Sequence, residues 1–549
     1  MTVEALTATT VLWCLLILNP ALWQQLTDWH PIKTWVDVPF LGSFFVLTFV
    51  VTYLFFTPLT LSRTLIKPVL GMVVVMSSLA TYFVAHYGIL IDKTMIRNVF
   101  ATNAAETSEL LSLGLLTQVL LSGVLPAAII QFVPLTLQTR REVLLRRLIS
   151  LTGLLLLVAV IAATFYQSHA ALLRNHREVR HMLTPVNIIA STAGLAAEAV
   201  QRPLPYESIA AGVQLGPHWQ NTTSTVSGKA GESKRKRPVV IVLVVGETAR
   251  AHNFGLNDYA RQTTPRLAEA SDLIAFQEVT ACGTSTAISV PCMFSDLTRE
   301  EFSPRKARAR DNLLDVLERA GFAVTWFDNN TSCNGVCGNR PELRADPQEQ
   351  AALCPEGAPC FDGAIFERMW TQLSTINQDM VVVMHMLGSH GPGYHLRYPA
   401  EFERFTPVCR ETDFALCSRD EIVNAYDNSI LYTDYLVAET ISRLAARTDQ
   451  LDVGMLYVSD HGESLGENGL FLHAIPYSVA PLDQLRVPMV FWSSDGLVAR
   501  MGLDLGCVRQ QTHKPLSHDH FFHSVLGLLD ITLPAKRDEL DIFGSCMPS

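Results

Sequence analysis

The stretch Val239-Val240-Ile241-Val242-Leu243-Val244-Val245-Gly246-Glu247-Thr248-Ala249-Arg250 decides the fold class. Seven apolar residues, all but Leu243 β-branched, end abruptly at a glycine and an acid. A run with no polar alternation reads as a strand buried on both faces, which requires a parallel sheet covered by helices. Further runs at Phe322–Phe327, Met380–His385, Met455–Val458 and Val487–Trp492 repeat the pattern. Helical patterns at 310–320, 361–376 and 422–446 lie between them. The expected fold is α/β with a mainly parallel sheet, and ligands of such sheets gather beyond the carboxyl ends of the strands.

Those ends carry a consistent chemistry. Glu247 follows the first run, and Ser459, Asp460, His461 and Gly462 follow the run at 455–458. Gly388, Ser389, His390 and Gly391 follow His385, and His473 comes thirteen residues after Asp460. Carboxylate oxygen and neutral imidazole nitrogen are donors that zinc accepts, and a catalytic zinc keeps a position open for a reacting group. Alone, Asp460 is equally a helix cap and each histidine a core or surface residue. Their common location at strand ends is what favours a site. Between Cys282 and Cys292 lies a small-residue loop containing Thr286, whose hydroxyl a metal would activate for attack on phosphorus. If Thr286 opens a helix, that N-terminus also favours an anion.

Working outward, 549 residues exceed one ordinary core, and charged residues are concentrated in the second two thirds of the chain. Five apolar stretches, 8–27, 40–59, 68–91, 113–136 and 147–166, approach or exceed the roughly 20 helical residues that cross a hydrocarbon core. The first has no basic leader or small-residue cleavage site, so it is expected to stay in the membrane. Arg63 and Lys67 in one short loop, and Arg140, Arg141, Arg146 and Arg147 in another, place both loops on the cytoplasmic side and everything after about residue 166 outside.

The cysteines give the same side independently. Ten of eleven lie beyond residue 280, in the close pairs Cys282/Cys292, Cys333/Cys337, Cys354/Cys360 and Cys409/Cys417, with Cys507 and Cys546 left for each other. That is a disulfide pattern for an oxidising compartment, without the paired knuckles of a zinc-thiolate site. A net charge of −10 gives no general basic surface for nucleic acid. The expected organisation is a transmembrane part at 1–166, a bridging helix and linker at 167–237, and a catalytic α/β domain at 238–549. The linker, Asn221 to Arg237, includes the basic cluster Lys234 to Arg237, read as solvated. In the outer loop between the third and fourth spans, Asn98, Thr102 and Glu106 are spaced to share one helix face, a polar stripe able to meet a cationic headgroup.

Gly-Glu-Thr-Ala-Arg at 246–250, Cys-Gly-Thr-Ser-Thr at 282–286 with Val-Pro-Cys at 290–292, Gly-Ser-His-Gly-Pro at 388–392 and Ser-Asp-His-Gly-Glu-Ser-Leu-Gly-Glu at 459–467 together resemble the membrane phosphoethanolamine transferases, which modify lipopolysaccharide and include colistin-resistance enzymes. The resemblance covers nearly the whole chain. It implies an alkaline-phosphatase-like periplasmic domain on an inner-membrane bundle of five helices. Residues Glu247, Thr286, Asp460 and His461 would hold one zinc, and Thr286 would carry the phosphoethanolamine. Positions matching His390 and His473 would bind the transferred group, a second zinc or the acceptor, while Asn98, Thr102 and Glu106 would meet the donor's headgroup. Where some relatives carry a lysine this chain has Asn334, which leaves Thr331 as the phosphate-contact candidate of that loop.

The implied reaction takes phosphoethanolamine from phosphatidylethanolamine to lipid A, releases diacylglycerol, and gives polymyxin resistance by a monomer that binds no nucleic acid. Alternatives are a core heptose or periplasmic glucan as acceptor, or a phosphodiesterase that passes the group to water. A sulfatase would need a Cys/Ser-x-Pro-x-Arg context, missing around Thr286. A lipoteichoic-acid-type polymerase shares the threonine but not the dense disulfides, and a non-catalytic scaffold would not retain zinc.

Overall fold

A computed structural model describes residues 1–35, 37–57, 64–102, 104–136, 140–219, 237–356 and 358–547. The chain packs as two compact units, residues 1–99 with 111–201, and residues 100–110 with 202–549.

In the first unit, four helices are long and apolar enough to cross a membrane, Val38–Phe56, Ile66–Tyr87, Leu113–Phe132 and Leu148–Asn175, among the described residues. The pair Val3–Ile17 and Pro20–Trp29, bent by 59°, makes five if it counts as one span. The expected continuous helix at 8–27 is therefore broken, and Pro20 is the reason, since it has no N–H to continue the ladder. Side chains reach the carbonyls at the break: Asn19 Nδ2 donates to Cys14 O at 2.8 Å, which also keeps its bond from the Leu18 N–H, and Trp23 Nε1 donates to Leu15 O at 2.6 Å. In hydrocarbon, such substitutes are what makes a break tolerable. Helix Leu113–Phe132 passes through a π-helical turn at Val119–Val124, where Gly123 packs against Ser78 closely enough that a Cβ would come within 2.9 Å of the Ser78 Cβ. Small residues permit this approach. Arg63 lies outside the described residues, as do the side chains of Arg140 and Arg147.

The second unit is built on one eight-stranded sheet. In chain order its strands are β1 (Val239–Gly246), β2 (Ile274–Thr280), β3 (Ala323–Asp328), β4 (Glu342–Arg344), β5 (Met380–His385), β6 (Asp452–Ser459), β7 (Arg486–Ser493) and β8 (Leu516–Ser517). Across the sheet they run β8-β2-β7-β6-β1-β5-β3-β4. All neighbours are parallel except β7, which is antiparallel to both β2 and β6. Every residue of β1, β5 and β6 is buried, as the unbroken apolar runs demand. Helices cover the sheet, among them Arg419–Ala445, whose start is fixed by reciprocal hydrogen bonds between Ser418 and Glu421.

Register then places the chemistry. Gly246 of β1 is level with Ser459 of β6, and Val245 of β1 with His385 of β5. Glu247, Asp460 and Met386 accordingly leave the central strands at one edge. Five disulfides join Cys282–Cys292, Cys333–Cys337, Cys354–Cys360, Cys409–Cys417 and Cys507–Cys546, and Cys14 is free and buried. Of the basic cluster at 234–237 only Arg237 is described. Its Nε lies 3.0 Å from Oδ1 of the fully buried Asp452.

Candidate metal centre and nucleophile

Glu247, Asp460 and His461 are all fully buried. One donor atom from each lies within 4.8 Å of the others, a spacing that could hold a metal ion. His461 Nε2 is 3.4 Å from Glu247 Oε1 and 3.4 Å from Asp460 Oδ2. The ring is fixed from behind, because Nδ1 lies 2.9 Å from the Gly462 carbonyl and donates to it, leaving the Nε2 lone pair facing the two carboxylates. Asp460 Oδ1 accepts from the backbone N–H of Thr248 and of His461, while Oδ2 has no hydrogen-bond partner although it is buried. An orphaned carboxylate oxygen beside an imidazole lone pair fits a bound cation. Electrostatics agree: burial raises Glu247 and pushes Asp460 up to about 7, and burial together with the neighbouring His473 pushes His461 down to about 4. A dication would keep both carboxylates ionised and accept the lone pair of the neutral ring.

Thr286 opens the helix Thr286–Met293, with Ser285 as its extended cap. Its hydroxyl lies 3.3 and 3.2 Å from the Glu247 oxygens and 3.5 Å from His461 Nε2. The Cys282–Cys292 bridge closes the loop that presents it. Thr286 therefore joins the three acid and imidazole residues in one cluster. The His473 ring lies tilted against His461 with centroids 4.5 Å apart, and the His390 ring centroid lies 5.3 Å from that of His473. His473 Nδ1 is 3.4 Å from Glu463 Oε2, so Glu463 orients it. Glu467 instead pairs with Arg250 and Arg419. Arg250 also donates to the Glu463 carbonyl at 3.1 Å, tying the 246–250 and 459–467 segments together.

Other predicted residues fall differently. Thr331 donates its backbone N–H to Asn330 Oδ1 at 2.7 Å. The neighbour reaches the site: Asn330 Nδ2 donates to Glu247 Oε2 at 2.6 Å and to the Met386 carbonyl at 3.0 Å. Sequence reasoning missed Asn330, whose one signal was its place just after β3. It also missed the buried pair beneath the site, His385 Nδ1 at 3.0 Å from Asp328 Oδ2. Thr248 holds φ at 61° and donates its hydroxyl to Glu247 Oε1 at 2.6 Å, a role its sequence context does not signal. Such strain in a non-glycine residue is characteristic of functional loops. Asn98 and Glu106 lie on two helices rather than one. Asn98 lies on Lys93–Ala101, Thr102 follows that helix's end, and Glu106 begins anew on Ala104–Leu110. The Glu106 side chain lies outside the described residues.

The fold and this site define an enzyme of the sulfatase and alkaline-phosphatase kind. Residues 240–531 match the sulfatase family, and residues 47–200 match the family described as phosphoethanolamine transferase EptA/EptB. Phosphoethanolamine transferase EptA of Escherichia coli (strain K12) is 35% identical over 532 residues, 96% of this chain and 94% of that relative. Phosphatidylethanolamine transferase Mcr-1 of Escherichia coli is 34% identical over 526 residues, 95% of this chain and 93% of Mcr-1. The solved integral membrane protein lipooligosaccharide phosphoethanolamine transferase A from Neisseria meningitidis has a TM-score of 0.91 and 35% identity, covering 99% of each chain. The chain belongs to the phosphoethanolamine transferase family. It is a multi-pass inner-membrane enzyme with its catalytic domain in the periplasm.

Proposed function

We propose that this enzyme moves phosphoethanolamine from phosphatidylethanolamine to lipid A in two steps through Thr286. The observation that carries the reading is the Thr286 hydroxyl at a helix start, 3.2 to 3.5 Å from Glu247 and His461. Glu247, Thr286, Asp460 and His461 would hold one zinc ion, which when bound lowers the hydroxyl's pKa and offsets charge on the phosphoryl oxygens. In the first step the Thr286 oxygen attacks phosphorus, its proton leaving toward the carboxylates it faces. The bond to the glycerol oxygen breaks, and diacylglycerol departs with the proton that Thr286 gave up, relayed through the His390–His473 pair. In the second, the oxygen of a singly protonated lipid A phosphate attacks the same phosphorus, the bond to the Thr286 oxygen breaks, and the phosphate's proton passes to that oxygen. Two bulky lipids can thus use one site in turn.

His390 and His473 are read as binding the transferred group, the acceptor or a second zinc. Thr102 and Glu106, with Asn98, are read as contacts of the donor headgroup, and Thr331 as a phosphate contact. The division into a membrane part to residue 166, a bridge to 237 and a catalytic domain beyond is proposed with them, and the enzyme is read as a monomer. Capping anionic phosphates weakens the attraction of cationic peptides, hence polymyxin resistance.

Mass spectrometry of lipid A from a Gram-negative host expressing wild type or Thr286→Ala at matched levels tests this. A gain of one phosphoethanolamine with wild type alone is expected. The same gain with Thr286→Ala would remove the nucleophile assignment, and no gain with either would remove lipid A as acceptor.

A further inference from the structure

Segment 100–110, which carries Thr102 and Glu106, packs with the compact unit that contains the catalytic sheet. Its described side chain of consequence is Glu109. Arg397 donates from Nη1 to Glu109 Oε1 at 3.0 Å and from Nη2 to Glu109 Oε2, a two-pronged ion pair. The pair is buried, with 2% of the Arg397 side chain and 9% of the Glu109 side chain exposed. The third donor of the guanidinium, Nε, is given to the backbone carbonyl of His390 at 2.6 Å. Room for this arrangement comes from Gly393, where a Cβ would stand 3.0 Å from Glu109 Oε2.

A buried ion pair is a poor source of stability, because desolvation offsets most of its attraction, so its use calls for a geometric reason. The geometry here is specific. A planar guanidinium fixes distance and direction at once, which a lysine would not do. One face holds the carbonyl of His390, whose ring lies beside His473; the other holds a carboxylate three residues beyond Glu106 on the helix Ala104–Leu110. Fixing Glu109 therefore fixes the backbone from which Glu106 projects.

We propose that Arg397 and Glu109 are positioning residues that seat the donor-binding segment in register with the His390 loop, so that the lipid's phosphate arrives where Thr286 can attack it. This rests on the reading that Thr102 and Glu106 contact the donor headgroup. It makes the pair necessary for a membrane donor and dispensable for a small soluble phosphodiester that needs only the site at the strand ends.

The test uses detergent-solubilised full-length enzyme and two substrates, an acyl-labelled phosphatidylethanolamine in mixed micelles and the p-nitrophenyl ester of phosphoethanolamine. Glu109→Gln should raise KM for the lipid about tenfold while kcat/KM for the soluble ester stays within about twofold. Gly393→Ala, which keeps both charges and presses on Glu109, should do the same and decides the matter if Glu109→Gln fails to fold. An equal fall on both substrates would mean a merely structural pair and overturn the proposal, as would no change on either. Glu106→Gln separates the two readings. If it leaves the lipid KM unchanged while Glu109→Gln raises it, the headgroup contact falls and the positioning pair stands; if it alone raises KM, the pair falls and the contact stands.

Discussion

Asn330 is the residue whose removal should be felt at the metal site without touching a metal donor. One of its amide hydrogens holds Glu247 Oε2 and the other the Met386 carbonyl. Loss of such outer hydrogen bonds to a ligating carboxylate costs roughly 10- to 100-fold in metal affinity. Asn330→Ala is expected to lose zinc to a competing chelator at correspondingly lower chelator concentration, and unchanged retention would remove its assigned role. Gly388 makes a second case. At φ 53° it sits where other residues strain, and a Cβ there would come within 2.5 Å of the Glu247 carbonyl oxygen. Gly388→Ala should therefore destabilise the fold by about 1–3 kcal/mol and displace Glu247, visible as a lower melting temperature with a lower zinc content. A variant that melts and binds zinc like wild type would contradict this.

At the scale of elements, the loop closed by Cys282–Cys292 presents Thr286, whereas Glu247, Asp460 and His461 follow β1 and β6. Replacing both cysteines by serine should free the loop while leaving the three strand-end donors in place. The expected result is a fall in transfer of about tenfold or more with a smaller fall in zinc content; equal falls would show that the loop and the strand ends form one cooperative unit. The same distinction explains what the sequence made legible. β1, β5 and β6 are continuous apolar runs ending in Gly-Glu, a histidine and Ser-Asp-His, so both strands and site edge could be read directly. β2, Ile-Ala-Phe-Gln-Glu-Val-Thr, loses its alternation at Gln277-Glu278, where the pairing with β7 shifts register, and β4 and β8 have three and two residues, too few for any period. Asn330 looked like a common turn residue, since nothing in sequence says that its amide meets Glu247 83 positions away. The break after Ala101 was hidden because i, i+4, i+8 spacing is compatible with one helix or two. Arg397 and Glu109, 288 positions apart, left no local trace.

For the molecule as a whole, the response to acid follows from histidines buried in neutral form. His523 lies on the helix Asp519–Leu528 with 1% of its surface exposed, and its Nδ1 accepts the backbone N–H of Arg537 at 3.1 Å. Burial first, then the nearby Arg537 and Lys536 cations and the repulsion His520 adds once protonated, push its pKa down to about 4, against the Asp296 carbonyl that favours the charged ring. In the unfolded chain the value returns to about 6.5. Between those values the unfolded state binds a proton that the folded state refuses, so stability rises with pH across the window. His523 thus contributes fully above about pH 6.5 and progressively less as pH falls toward 4. Protonation also removes the acceptor at Nδ1, so the segment at Arg537 loses its hydrogen bond together with the charge balance. Carboxylates and metal release add their own acid sensitivity, which is why the informative quantity is the difference between wild type and His523→Asn. Melting temperatures of the solubilised full-length enzyme, measured from pH 7.5 to 4.5, should fall more steeply for wild type, the underlying unfolding free energy carrying up to about 1.4 kcal/mol per pH unit of extra slope. His523→Asn should be the less stable protein at pH 7.5 and should close the gap as the medium is acidified. Parallel curves would mean that His523 already carries its proton in the folded state, and the buried neutral ring would then be the wrong description of this part of the core.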